Sequence, residues 1–153
     1  MANGVKVPFH CTVAPGQGHG ELWQAGIHRA VGGYHDRPNP GDILCAALAS
    51  CFHSTLRIIA DRLEIPIAGL EVSVQAEVDV RGTLLVDRNV LVGFQKMNCE
   101  VRLEPAANVP PEKVKMLFAV AEYSCVVLQT LCSGVQVQIQ SDQVPSAACA
   151  AAQ

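Results

Sequence analysis

The chain has 153 residues, half of them apolar, 16% charged and 5% aromatic, with a formal net charge of −3. That length fits one domain burying about two-thirds of the surface its unfolded chain exposes, and a core of Ala, Val, Leu and Ile; the composition argues against a disordered chain. The negative balance gives no basic field for phosphate backbones or anionic lipid, so neither nucleic acid nor membrane is an expected partner.

The N-terminus "MANGVKVPFHCTVAPG" has no apolar run long enough for a signal-peptide core, and no stretch is expected to reach the roughly 20 apolar residues of a membrane span. A cytoplasmic location is the expectation. Residues 4 to 38 alternate short apolar pieces with "APGQGHG" and "VGGYHDRPNPG". Glycine and proline at that density suggest a small antiparallel sheet with a long loop. After Pro40 the period changes: Leu44, Leu48, Phe52, Leu56, Ile59 and Leu63 form a helical stripe, with Asp42 in the first turn, where a carboxylate suits the helix dipole. The spacing predicts a helix over 41–63, ending before Pro66.

"LEVSVQAEVDV" (70–80) alternates as a half-buried strand, residues 81–95 read as an irregular excursion, and 96–105 return as a second strand. Prolines at 110 and 111 open a helix over 110–123. Ser124 is placed to cap a second short helix over 125–134, stopped by Gly134. "VQVQIQ" (135–140) is a final strand. One domain over 1–140 and a poorly ordered, small-residue tail over 141–153 complete the reading, with the α+β class expected.

Seven cysteines are many for a reducing compartment, and none are spaced C-x-x-C, which excludes a zinc knuckle or a thioredoxin-type motif. A reactive thiol needs a helix N-terminus, a cation or a metal to reach its thiolate. On local grounds Cys125, next to the expected cap Ser124, is the best candidate, whereas Cys51 lies mid-helix and depends on a partner brought in by the fold. Buried packing is the expected role of Cys11, Cys45, Cys99 and Cys132. Cys149 lies in the tail. His53 is two residues from Cys51, about 160° around a helix, and so is poorly placed as its base. His10, His19, His28 and His35 lie in the N-terminal region. No ligand spacing supports a metal site, even at His28 and His35, and no cofactor is expected.

Two stretches carry a resemblance. "NPGDILCAALASCFHSTL" and "CVVLQTLCSGVQVQI", with "DVRGTLLVDRNVLVGFQKMNCEVRL" between them, resemble the OsmC/Ohr family of osmotically inducible and organic hydroperoxide resistance proteins over about residues 40 to 140. The resemblance implies an α+β fold of long central helices packed on antiparallel sheets, in an intertwined homodimer with interface active sites. It makes Cys51 the peroxidatic cysteine and Cys125 the resolving one, the latter condensing with a Cys51 sulfenic acid to give a Cys51–Cys125 disulfide. A dithiol reductant would restore both thiols. The family's reductases place an Arg and a Glu about the peroxidatic thiol. Here Gly41 holds the Glu position with Asp42 one residue later, and Arg37, then Arg29, are the candidate cations. Val126 stands where many members have Pro. Two functions follow: reduction of organic hydroperoxides at Cys51, or an OsmC-like protein that binds a small hydrophobic ligand with little or no peroxidase activity.

Overall fold

Asn39, Pro40 and Gly41 set the start of the longest helix. In the computed structural model, which describes residues 26–34, 36–139 and 147–149, helix α1 spans Pro40–Arg62. The Asn39 Oδ1 accepts the Asp42 amide at 2.8 Å, and the Asn39 carbonyl accepts that of Ile43 at 2.7 Å. Asn39 is therefore the N-cap, and Pro40, which has no amide to leave unpaired, follows it in the first turn. The stripe read from the sequence faces inward: Leu48, Phe52, Leu56 and Ile59 are buried, and Leu44 and Leu63 are half-buried.

The expectation that no stretch approaches a membrane span is corrected by α1. It is long and apolar enough to cross a membrane by length and composition, with mean hydropathy 1.7 over its most apolar window. The cause is the uncharged run from Ile43 to Leu56, together with Ile58 and Ile59. Only 28% of that window is buried within the chain, and Ile58 is half exposed.

Strand β1 (Ile67–Val78) pairs with β2 (Phe94–Pro105) in a two-stranded sheet. The pairing is antiparallel: the Ala106 amide donates to the Pro66 carbonyl at 2.9 Å, and Arg102 faces Glu71 at 3.5 Å. Between the strands the expected irregular excursion contains a short helix, α2 (Val80–Thr83), capped by Asp79, whose carboxylate accepts the Arg81 amide. Gly82 is required there because a Cβ would lie 2.6 Å from the Val90 carbonyl oxygen. Helices α3 (Pro111–Ser124) and α4 (Val126–Ser133) follow, meeting at a 62° bend. Gly134, at φ 69°, ends α4 in the left-handed region that favours glycine.

Strands β3 (Val137–Ile139) and β4 (Ala147–Cys149) pair antiparallel, with Gln138 opposite Ala148. β4 falls inside the segment expected to be a poorly ordered tail. Three small residues there take up a strand because β3 offers an edge to pair with. The expected N-terminal sheet, with His10, Cys11 and His19, lies outside the described residues, as do His35 and the side chains of Arg29 and Cys149.

The chain divides into two compact units, Met1–Ser50 with Glu71–Arg102, and Cys51–Leu70 with Leu103–Gln153. In the first, Val78 and Val80 pack with Val31 and Phe94. The second buries Phe52, Leu56, Ile59, Ala60, Ile65, Leu117, Ala121 and Cys125.

Candidate active site

The second unit brings together two residues 74 positions apart. The Cys125 thiol approaches the Cys51 sulfur at 3.5 Å. A disulfide bond is about 2.05 Å long, so the pair is about 1.5 Å short of bonding. Cys51 lies on α1, half-buried, and Cys125 is fully buried at the α3–α4 joint.

The joint differs from the expected one by a residue, with consequences for the chemistry. Ser124 is the last residue of α3, and Cys125 takes the junction, ending α3 through its amide to the Ala121 carbonyl and standing as N-cap of α4. Cysteine offers no capping oxygen, so the first amides of α4 need another acceptor. The Cys51 sulfur supplies one. The Val127 amide chiefly holds the Cys51 thiol below its ordinary pKa, burial opposes it, and the Cys125 thiol, the Thr55 hydroxyl and the Val126 amide add to the lowering. A thiolate here lies against the positive end of a helix dipole.

Local sequence grounds favour Cys125 as the activated thiol, and its burial reverses this. Burial pushes the Cys125 thiol above its ordinary value; the Leu128 amide relieves this in part, and the neighbouring Cys51 sulfur pushes it further up. The α4 N-terminus serves the cysteine facing it from another helix more than the one that opens it.

The other cysteines divide differently from expectation. Cys99 and Cys132 are exposed rather than packed, one on β2 and the other on α4. In each case the element has more face than the chain covers. Cys45 is half-buried and lines a cavity of about 300 Å³ with Gly41, Asp42, Ala46, Ala49 and Gln75 among its walls. Asp42 therefore opens onto that cavity. On α1, nine residues separate it from Cys51, two and a half turns or about 13 Å of axis. Arg37 is exposed in the loop before α1. His53 is half-buried, and among the described residues no group of three or more His, Cys, Asp or Glu could hold a metal ion.

Two residues escaped the sequence reading. Thr55 donates its hydroxyl to the Cys51 carbonyl at 2.8 Å, and its side chain helps to lower the pKa of both thiols. The i, i+4 spacing from Cys51 was the signal that could have found it. Asn39 could have been found from Asn-Pro, a capping residue followed by proline in the first turn.

A scan against protein families matches residues 33–140 to the OsmC-like protein family. The chain belongs to this OsmC-like family. Solved structures agree on the fold of this OsmC-like protein. An OsmC-like protein of Mycoplasma pneumoniae superposes with a TM-score of 0.55 at 19% identity, covering 65% of each chain. An OsmC organic hydroperoxide resistance protein of Legionella pneumophila gives 0.57 at 17% identity, over 72% of this chain and 74% of its own. An OsmC-like hydroperoxide resistance protein of Jannaschia sp. CCS1 gives 0.54 at 19% identity, over 81% and 78%. The OsmC-like chain thus spans 65% of the length of the Mycoplasma protein. No curated protein matches its sequence. Helices combined with antiparallel strands, expected from the sequence, are the architecture these structures share.

Proposed function

We propose that this OsmC-like protein reduces organic hydroperoxides by cysteine chemistry. The Cys51 thiolate attacks the peroxide's terminal oxygen, the O–O bond breaks, and the alcohol leaves with a proton. Cys51 is left as a sulfenic acid. The Cys125 sulfur then displaces that oxygen as water, forming a Cys51–Cys125 disulfide, and a dithiol reductant in a reducing, cytoplasmic setting returns both thiols.

The observation that carries the reading is the Cys51–Cys125 contact at 3.5 Å, with backbone amides of α4 on the Cys51 sulfur. The hydroperoxide resistance proteins among the structural matches have the same fold. A homodimer belongs to the proposal: α1 is apolar yet mostly uncovered within the chain, and a second copy is the cover proposed for it. Arg37, which has no hydrogen bond or ion pair among the described residues, is proposed as the cation at the interface active site; Asp42, about 13 Å along α1 from the Cys51 of its own chain, is proposed in the orienting role of the family's Glu only across that interface. The test is consumption of an alkyl hydroperoxide with dithiothreitol as reductant. Turnover should be abolished in Cys51→Ser; consumption equal to that of the variant would defeat the proposal.

A second reading has its own observation. Pro40, Gly41, Leu44, Val78, Thr83, Val92, Gly93 and Phe94 line a cavity of about 270 Å³ with almost wholly apolar walls. That suits a small hydrophobic ligand held without peroxide chemistry. Native mass spectrometry would show a retained apolar molecule, and an inert Cys51 would favour this reading.

A further inference from the structure

In an unbroken helix the Glu122 carbonyl would accept the Val126 amide four residues on. The chain breaks instead at Cys125, extended at φ −75° and ψ 108°, and Val126 opens α4. Its amide then has no intrahelical acceptor, and the Glu122 carbonyl, in the last turn of α3, has no intrahelical donor. Gln129 closes that gap. Its side-chain nitrogen donates to the Glu122 carbonyl at 2.9 Å, seven residues back. Its own amide donates to the Cys125 carbonyl at 2.9 Å, and the Cys125 amide to the Ala121 carbonyl at 2.9 Å. Cys125 is thus fixed to α3 on one side and to Gln129 on the other, and the Gln129 side chain ties α4 back to α3 across the 62° bend.

The bend presents the first turn of α4 to the sulfurs. Cys125 stands at the N-cap position of α4, where a side chain lies over the amides of the second and third helical residues, and its sulfur is 3.5 Å from that of Cys51. No residue of α4 is fully buried within the chain, so packing there holds the direction of the helix weakly. Gln129 is itself exposed, and its bond adds nothing to a core. Resting on the hydroperoxide reaction proposed above, we propose that Gln129 is a positioning residue: its carboxamide braces the α3–α4 bend and keeps the first-turn amides of α4 on the Cys51–Cys125 sulfur pair. The amides that lower the Cys51 thiol, Val127 before Val126, are the ones this brace aims.

The test is the Cys51 titration, read by site-resolved iodoacetamide alkylation against pH, beside the rate at which cumene hydroperoxide makes a dimedone-trappable Cys51. Gln129→Met keeps the side-chain length and the helix preference and loses the donor. One net hydrogen bond at an exposed site is worth about two- to fivefold in an equilibrium. Below its titration midpoint the Cys51 thiolate fraction, and with it the oxidation rate, should fall by about that factor. The two rates should meet at alkaline pH, where Cys51 is ionised in both proteins, which a general loosening of the fold would not produce. Gln129→Lys regains a donor; in high salt, which screens its added charge, it should titrate near the wild type. If Met does not keep wild-type helicity by circular dichroism, Gln129→Leu carries the same comparison. An unshifted Cys51 titration in Gln129→Met, or Gln129→Lys shifted as far as Met, would overturn the brace and leave the proposed function standing. Wild-type Cys51 left unoxidised by cumene hydroperoxide would overturn the proposed function and the brace's part in it.

Discussion

Replacing Val126 by proline removes one donor from the Cys51 sulfur with little else disturbed. The Val126 amide is the first of α4 and donates to that sulfur. Proline suits the first helical position, where its missing amide breaks no intrahelical bond. The preceding residue must be extended, and Cys125 already is, at φ −75° and ψ 108°. The Val126 side chain is 72% exposed, so its loss costs little packing. One full net hydrogen bond is worth about 1 kcal/mol, or about fivefold in an equilibrium ratio, and the Val126 amide is the least of the contributions that lower the Cys51 thiol, so the change should fall below that bound. Val127 remains as the leading donor, so the Cys51 pKa should rise toward, without reaching, the ordinary thiol value. Site-resolved iodoacetamide alkylation against pH, read by peptide mass spectrometry, measures this. A Cys51 titration unchanged in a variant with wild-type helicity would refute the claim that the α4 amides activate Cys51.

The same assay on the unaltered protein should show Cys51 alkylating at lower pH than Cys125, since amide bonding favours the Cys51 anion and burial opposes that of Cys125. As pH rises Cys51 ionises first and its charge suppresses Cys125, so Cys51→Ser should shift the Cys125 titration downward; an upward shift would contradict the coupling. Leu56→Ala, at a side chain with no exposure, should cost about 2–5 kcal/mol. A Tm fall of about 4–20 °C follows at about 2–4 °C per kcal/mol, and differential scanning fluorimetry showing no shift would remove Leu56 from the core. Arg37→Ala should raise the pH at which Cys51 reacts and lower peroxide turnover if the partner protomer's loop reaches the thiol; unchanged kinetics would remove Arg37 from the site.

The helices and strands were legible because their signals are local. The Leu48, Phe52, Leu56, Ile59 stripe and the Gly134 stop carry their own periodicity and backbone preference, and α1, α3, α4 and the central strands fall within a few residues of their expected limits. The site was legible only through resemblance. Nothing near Cys51 in the chain shows that amides 75 and 76 residues later will face its sulfur, and local chemistry pointed to Cys125 instead. That failure is physical: a helix N-terminus acts on whatever group the fold presents to it, and here Cys125 trades its own activation for burial. The exposure of Cys99 and Cys132 was hidden for a related reason, because cysteine's preference for burial is an average and these two lie on faces the chain leaves uncovered.

The central claim is that Cys51 and Cys125 are one redox pair. Reduced protein treated with one equivalent of alkyl hydroperoxide, then blocked and digested, should yield a Cys51–Cys125 disulfide as the dominant linkage, absent from Cys51→Ser, while Cys125→Ser stops at a dimedone-reactive Cys51. A protein that leaves Cys51 unoxidised under that treatment, or pairs it with another cysteine, would contradict the account.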